Sequence, residues 1–133
     1  MQIVKSALAA ILALTAANSA VAQQTMAERY ELDGAQVTVL THPFLSDEEL
    51  LTLRLVGQNR DALSLFVPEG SGYAAIAVAP SEGFVRAGMP VDSASAISGL
   101  PDLATARTSA LEACNAARRA GPACEVVLEV APR

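Results

Sequence analysis

Tryptophan is missing from the 133 residues, phenylalanine and tyrosine together number five, and histidine and lysine occur once each. The one lysine is Lys5, near the N-terminus, and the one histidine is His42. A chain whose body has no lysine cannot hold pyridoxal phosphate as an internal aldimine, and it cannot supply the lysine of a phosphate-cradling Gly-rich loop. Cysteine is limited to Cys114 and Cys124. Two thiols and one histidine do not complete a four-ligand zinc site without carboxylates, and their spacing is not the Cys-x-x-Cys of a redox pair. No apolar run reaches the roughly 20 residues that span a bilayer; the N-terminal stretch from Ala7 to Ala17 is too short. No repeat, heptad or low-complexity tract divides the chain, and aromatic poverty leaves Leu, Val, Ile and Ala to build a core.

The N-terminus does carry a pattern. "MQIVKSALAAILALTAANSAVAQQ" joins a short basic region ending at Lys5 to an apolar stretch and then to Ala20-Val21-Ala22. This is the order of parts in a secretory signal peptide. The expectation is a leader over 1–22, cleavage after Ala22, and a single domain over 23–133 in the periplasm or medium. No cysteine lies at that site, so lipid attachment is not expected. Beyond the leader, eight arginines against fourteen carboxylates leave a formal charge of −6. Such a surface repels nucleic acid and anionic lipid. A protein, a peptide or an envelope component is the expected kind of partner, with no membrane insertion after cleavage and no cofactor or metal.

Local patterns point to an α+β fold. Asp33-Gly34 marks a tight hairpin turn, and Val37 and Val39 alternate with Gln36 and Thr38 as in a half-buried strand. Ser46 with Glu49 three residues on is a capping box, yet Leu51, Leu53 and Leu55 alternate at strand period. A helical turn at 46–50 running into a strand is expected, with one continuous helix as the alternative. Leu63, Leu65 and Val67 suggest a further strand, broken by "PEGSG". "YAAIAVAP" reads as a central strand, "FVRAG" as its short partner, and 94–99 as another strand. Good helix formers then run from Leu103 to a stop at Gly121-Pro122, with Leu103, Ala106, Ala110, Cys114 and Ala117 on one stripe. "CEVVLEVAP" closes the chain as a strand in which Val126, Leu128 and Val130 alternate with Val127 and Glu129. The expected architecture is a small antiparallel meander packed on one main C-terminal helix and followed by the closing strand.

Few residues carry chemistry. Cys114 on the buried stripe and Cys124 at the next strand's start are placed for a disulfide, which suits an oxidising compartment; paired free thiols or metal ligands are the alternatives. His42 in "THPF" is a weak catalytic candidate, a general base oriented by Asp47 or Glu48, or else a loop histidine. No serine lies in a strand–elbow–helix setting. "EGSG" at 69–72 reads as a hairpin turn. Asp47-Glu48-Glu49 suits a helix N-terminus, and Arg118 and Arg119 suit a helix C-terminus, although the first trio could bind a cation and the second pair an anion.

Three stretches, "VTVLTHPFLSDEELLTLRLV", "LFVPEGSGYAAIAVAPSEGFVRAGMPV" and "ALEACNAARRAGPACEVVLEVAP", together resemble a group of small exported proteins of Rhodobacter-type alphaproteobacteria. The likeness covers essentially the whole chain after the leader. Those proteins carry the label 5-aminolevulinic acid synthase. That enzyme is far larger and needs the Schiff-base lysine that 23–133 lacks, so the resemblance implies an exported domain and transfers no site residue. The final third also resembles a secreted domain of unknown function. The expected role is therefore a disulfide-stapled exported domain that binds or shields a partner. The rivals are a small exported hydrolase using His42 with a carboxylate, and a sheet edge used for dimerisation.

Overall fold

A computed structural model describes residues 25–67 and 72–132; the expected leader and positions 68–71 of the turn before "YAAIAVAP" lie outside the described residues. Asp33 (φ 48°) and Gly34 (φ 81°) both take left-handed backbone and reverse the chain between β1 (Met26–Leu32) and β2 (Ala35–Thr41), as a two-residue turn of this hand requires. The chain then enters α1 (Asp47–Gln58) and α2 (Arg60–Phe66), β3 (Tyr73–Val78), a two-stranded ribbon of β4 (Val85–Arg86) and β5 (Met89–Pro90), β6 (Ser95–Leu100), α3 (Leu103–Ala117) and β7 (Glu125–Pro132).

The α+β class holds, with an antiparallel sheet, a main helix packed on it and a closing strand. The strand order is β1-β2-β7-β3-β6. Only the first hairpin follows meander order, because the closing strand inserts between β2 and β3 and becomes the centre of the sheet. Helices cover both faces. On one side α1 and α2 bury Leu53 and Val56 against Val37, Val39, Ile76, Val78 and Leu128, with Phe66 and Phe84 rings 5.2 Å apart. On the other side α3 lays Ala106, Ala110 and Cys114 on Ala75 and Ala77 of β3. Small side chains on both surfaces let helix and strand approach closely, at the cost of little apolar area per residue.

Several local expectations are overturned. Residues 47–58 form one helix. The capping box is present as read, with Glu49 N donating to Ser46 Oγ at 3.2 Å and Ser46 N to Glu49 Oε1 at 3.0 Å. The buried set Glu49, Leu53, Val56 and Gly57 has helical spacing, while Leu51 and Leu55 face outward. The Leu51-Leu53-Leu55 alternation was therefore coincidental, since only its middle member is in the core. The expected strand through Leu63, Leu65 and Val67 is the short helix α2, started by Asn59, whose Oδ1 accepts from Ala62 N at 3.0 Å. "FVRAG" does not pair with β3: its strand β4 pairs with β5 across Ala87 and Gly88, both at positive φ. Alternation in β7 is broken by a bulge opposite Ile76 and Ala77, so Val127 and Leu128 both join the α1 side and Val126 the α3 side. The last helix stops at Ala117, with Arg118 already extended, and Gly121 (φ 88°) serves the turn beyond it.

Candidate functional site

Cys114 and Cys124 form a disulfide with Cα atoms 6.1 Å apart, inside the range a bridge can span. Cys114 is fully buried in the alanine layer and Cys124 nearly so. The turn between them is pinned separately: Asn115 Oδ1 accepts from Cys124 N at 2.9 Å, Ala120 O accepts from Ser81 Oγ at 2.8 Å, and Arg118 Nη1 donates to Gly121 O. Paired free thiols and metal ligation are thereby set aside. The bridge is structural, buried away from any cleft chemistry.

His42 is placed by the end of β2 and is committed to structure. The β2–β7 ladder ends at Val39 and Leu128, and beyond it His42 Nε2 lies 2.7 Å from Val126 O. A carbonyl can only accept, so Nε2 carries the proton. Nδ1 faces Thr25 Oγ1 at 3.0 Å, and the ring stacks on Phe44 with centroids 5.0 Å apart. Both nitrogens are thus engaged, and neither Asp47 nor Glu48 orients the imidazole. Those two acids are exposed on the first turn of α1. Their neighbour Glu49 is the one with a task beyond the cap. Only 7 % exposed, its carboxylate accepts from the backbone N–H groups of Phe84 and, at 3.3 Å, Val85. Burial pushes its pKa up, but the N–H donors of Phe84, Ser46 and Val85 outweigh this and hold it below the ordinary value. Gly83 presses against the same carboxylate: a Cβ there would stand 2.7 Å from Glu49 Oε2. Glu49 therefore ties α1 to the segment that leads into the β4–β5 ribbon.

Two depressions among the described residues offer places for a ligand. The larger, about 610 Å³, lies between the β4–β5 ribbon and the turn after α3, with Met89 and Pro90 on one wall and Arg119 on the other. Of its charged groups, Arg86 donates to the carbonyls of Glu82 (2.9 Å) and Ser81 (3.4 Å) and Glu82 accepts from Arg119 N at 3.2 Å, while Asp92 stands exposed on its rim. It contains no buried charge.

The smaller, about 380 Å³, lies on the α3 side of the sheet and is the stronger candidate. The helix α3 packs on β3, β6 and β7, and no other described helix covers this face of β1 and β2 beside it. Register places Arg29, Thr38, Glu129, Ala75 and Ile97 in one row across all five strands. The row is apolar beneath α3 and polar where α3 ends, and Glu129 stands at the boundary. Only 8 % exposed, Glu129 takes a two-pronged contact from Arg107 of α3, Nε to Oε1 at 2.5 Å and Nη2 to Oε2 at 3.0 Å, which pushes the Arg107 pKa upward. Arg29, exposed on β1, makes no ion pair among the described residues. Leu40 and Leu103 give the cleft an apolar border.

None of these cleft residues stood out in the sequence. Glu129 falls opposite Val126, Leu128 and Val130 in the strand alternation, and Arg107 falls away from the apolar stripe of its helix. A carboxylate in the middle of "VVLEVAP" is the one signal in the sequence that points to the site. No protein-family model, curated protein or solved structure matches the chain.

Proposed function

We propose that this protein is an exported binding domain that holds a small ligand, or the end of a larger one, in the cleft between α3 and the uncovered half of the sheet. The observation that carries the reading is Glu129, a carboxylate buried at the cleft floor and paired with the half-exposed Arg107. Taking a carboxylate out of water is costly unless it is paired, and an apolar side chain would fill the same place on the strand without that cost. A pair retained on the central strand, beside an alanine core that could have extended over it, fits a face that must remain polar and open. The volume falls within the ordinary ~300–1,000 Å³ of small-molecule sites.

Export to the periplasm or medium is part of the same reading. It is supported by the Ala20-Val21-Ala22 pattern, by the disulfide, and by the fact that no described helix is long and apolar enough to cross a membrane. Likeness to the small alphaproteobacterial exported proteins points the same way; their synthase label does not extend to this chain, for want of a lysine after Lys5. Mass spectrometry of the exported protein should find Gln23 at the N-terminus. The binding reading is tested by a fragment screen followed through ¹H–¹⁵N spectra. Hits should cluster on Arg29, Thr38, Leu103 and Glu129. Hits confined to the β4–β5 groove, or scattered over the surface, would refute it.

A further inference from the structure

We infer that the cleft selects a monocarboxylate with a short apolar tail, either a small aliphatic acid or the C-terminus of a peptide; this deepens the binding reading above and rests on it. The cleft lining carries two guanidinium groups, Arg29 and Arg107, and one carboxylate, Glu129. The local charge is +1 on a chain that is otherwise strongly acidic. One negative charge neutralises it, whereas a dianion brings an excess that the surrounding acidic surface opposes.

Geometry gives the anion its place. Arg29 and Glu129 are two strands apart in one row, with Thr38 between them, so their backbones are roughly 10 Å apart at ~4.8 Å per strand. The contact with Glu129 uses Nε and Nη2 of Arg107 and leaves Nη1 without a protein partner among the described residues. No described residue bonds the Arg29 guanidinium, so its donors face the cleft's opening on β1. A carboxylate lying over Thr38 meets Arg29 on one side, Arg107 Nη1 on the other and the threonine hydroxyl below. Guanidinium groups match the planar carboxylate with paired N–H donors. The ligand's tail then lies against Leu40 and Leu103, where burial of each CH₂ adds to affinity.

The test uses the oxidised protein and four probes: hexanoate, hexanamide, acetyl-alanyl-leucine with a free C-terminus, and inorganic phosphate. Amide shifts in ¹H–¹⁵N spectra locate each probe and give its affinity. Hexanoate and the peptide acid should move Thr38, Leu103 and Glu129; the tighter of the two tells whether a free acid or a chain terminus is preferred. Hexanamide and phosphate should bind at least tenfold more weakly. Arg29→Gln removes an exposed side chain from an edge strand and should weaken hexanoate at least tenfold with the spectrum otherwise unchanged, Arg29→Lys should recover part of the loss, and Arg86→Gln in the other groove should have no effect. Hexanamide binding in the cleft as tightly as hexanoate, or unaltered hexanoate affinity in Arg29→Gln, would overturn the carboxylate assignment while leaving the cleft as a binding place. If neither these probes nor the fragment hits reach the cleft, the cleft itself is wrong.

Discussion

Reduction of the Cys114–Cys124 bridge is the perturbation whose size follows most directly from the structure. The bridged residues are ten apart in sequence, and closing a loop of that length in the unfolded chain lowers its entropy enough to stabilise the fold by about 2.7 kcal/mol. Reduction removes no heavy atom and asks only that the two sulfurs move apart to van der Waals distance, so chain entropy is the main term. With an unfolding entropy of ~2.1 cal/mol/K per residue over the chain beyond the leader, the melting temperature should fall by about 12 °C. The turn should stay closed in the folded state, since Asn115, Ser81 and Arg118 hold it without the sulfurs. Replacement then separates chain entropy from packing. Cys114 is fully buried in an alanine layer, so paired alanines should cost about 1 kcal/mol more than reduction through lost apolar contact. Paired serines should cost a further ~1 kcal/mol, because a hydroxyl in this alanine layer is buried at a cost even where it bonds back to the Ala110 carbonyl. Circular dichroism is the assay of choice, as there is no tryptophan to report. Equal melting of oxidised and reduced protein would refute the entropic argument, and equal melting of the serine and alanine pairs would refute the burial of Cys114.

Glu49→Gln should destabilise the fold by about 2 kcal/mol, the scale of charged hydrogen bonds lost from a buried group. Because the folded pKa of Glu49 lies below the ordinary 4.5, the carboxylate's contribution is complete above pH 4.5 and is lost as the pH falls from there through the lower folded value. The hydrogen bond from Arg54 to Glu28, that from Arg60 to Asp33 and the backbone donor at Asp102 lower those pKa values too. Acid denaturation of the parent chain should therefore be steeper than that of Glu49→Gln, and parallel acid curves would contradict the assignment. Gly121→Ala should cost about 2 kcal/mol, since residue 121 has φ 88° and an added Cβ would lie 2.8 Å from Ser81 Cβ, joining backbone strain to a clash. Ser81→Gly in the same chain removes the clash together with the Ser81 Oγ bond to Ala120 O, so it should recover only part of the loss in thermal melts, and a full recovery would show that the backbone is unstrained.

How much of this was legible in the sequence depended on how local the cause was. The Asp33-Gly34 hairpin, the Ser46–Glu49 capping box, the long alanine-rich helix and the closing strand were all readable, because each rests on interactions between residues a few positions apart. The disulfide was readable for the same reason, with a helix stripe and a nearby reversal bringing ten-residue neighbours together. Residues 47–67 misled because leucines alternate there by chance. Which of Leu51, Leu53 and Leu55 is buried is decided by the sheet that packs on them, and propensity yields to that contact.

The sequence by itself determined the elements that short-range chemistry can build, the poverty of the core in aromatic side chains, and the chemistries closed to a chain with no lysine after Lys5. Tertiary structure alone decided that the last strand enters the sheet at its centre, between β2 and β3. That insertion carries Glu129 from an apparent solvent face to the floor of a cleft, and sets it in one row with Arg29, a hundred residues away. It also turns the lone histidine into a clamp on the Val126 carbonyl. Strand pairing joins residues without regard to their separation along the chain, so no local pattern can announce which side chains it will bring together.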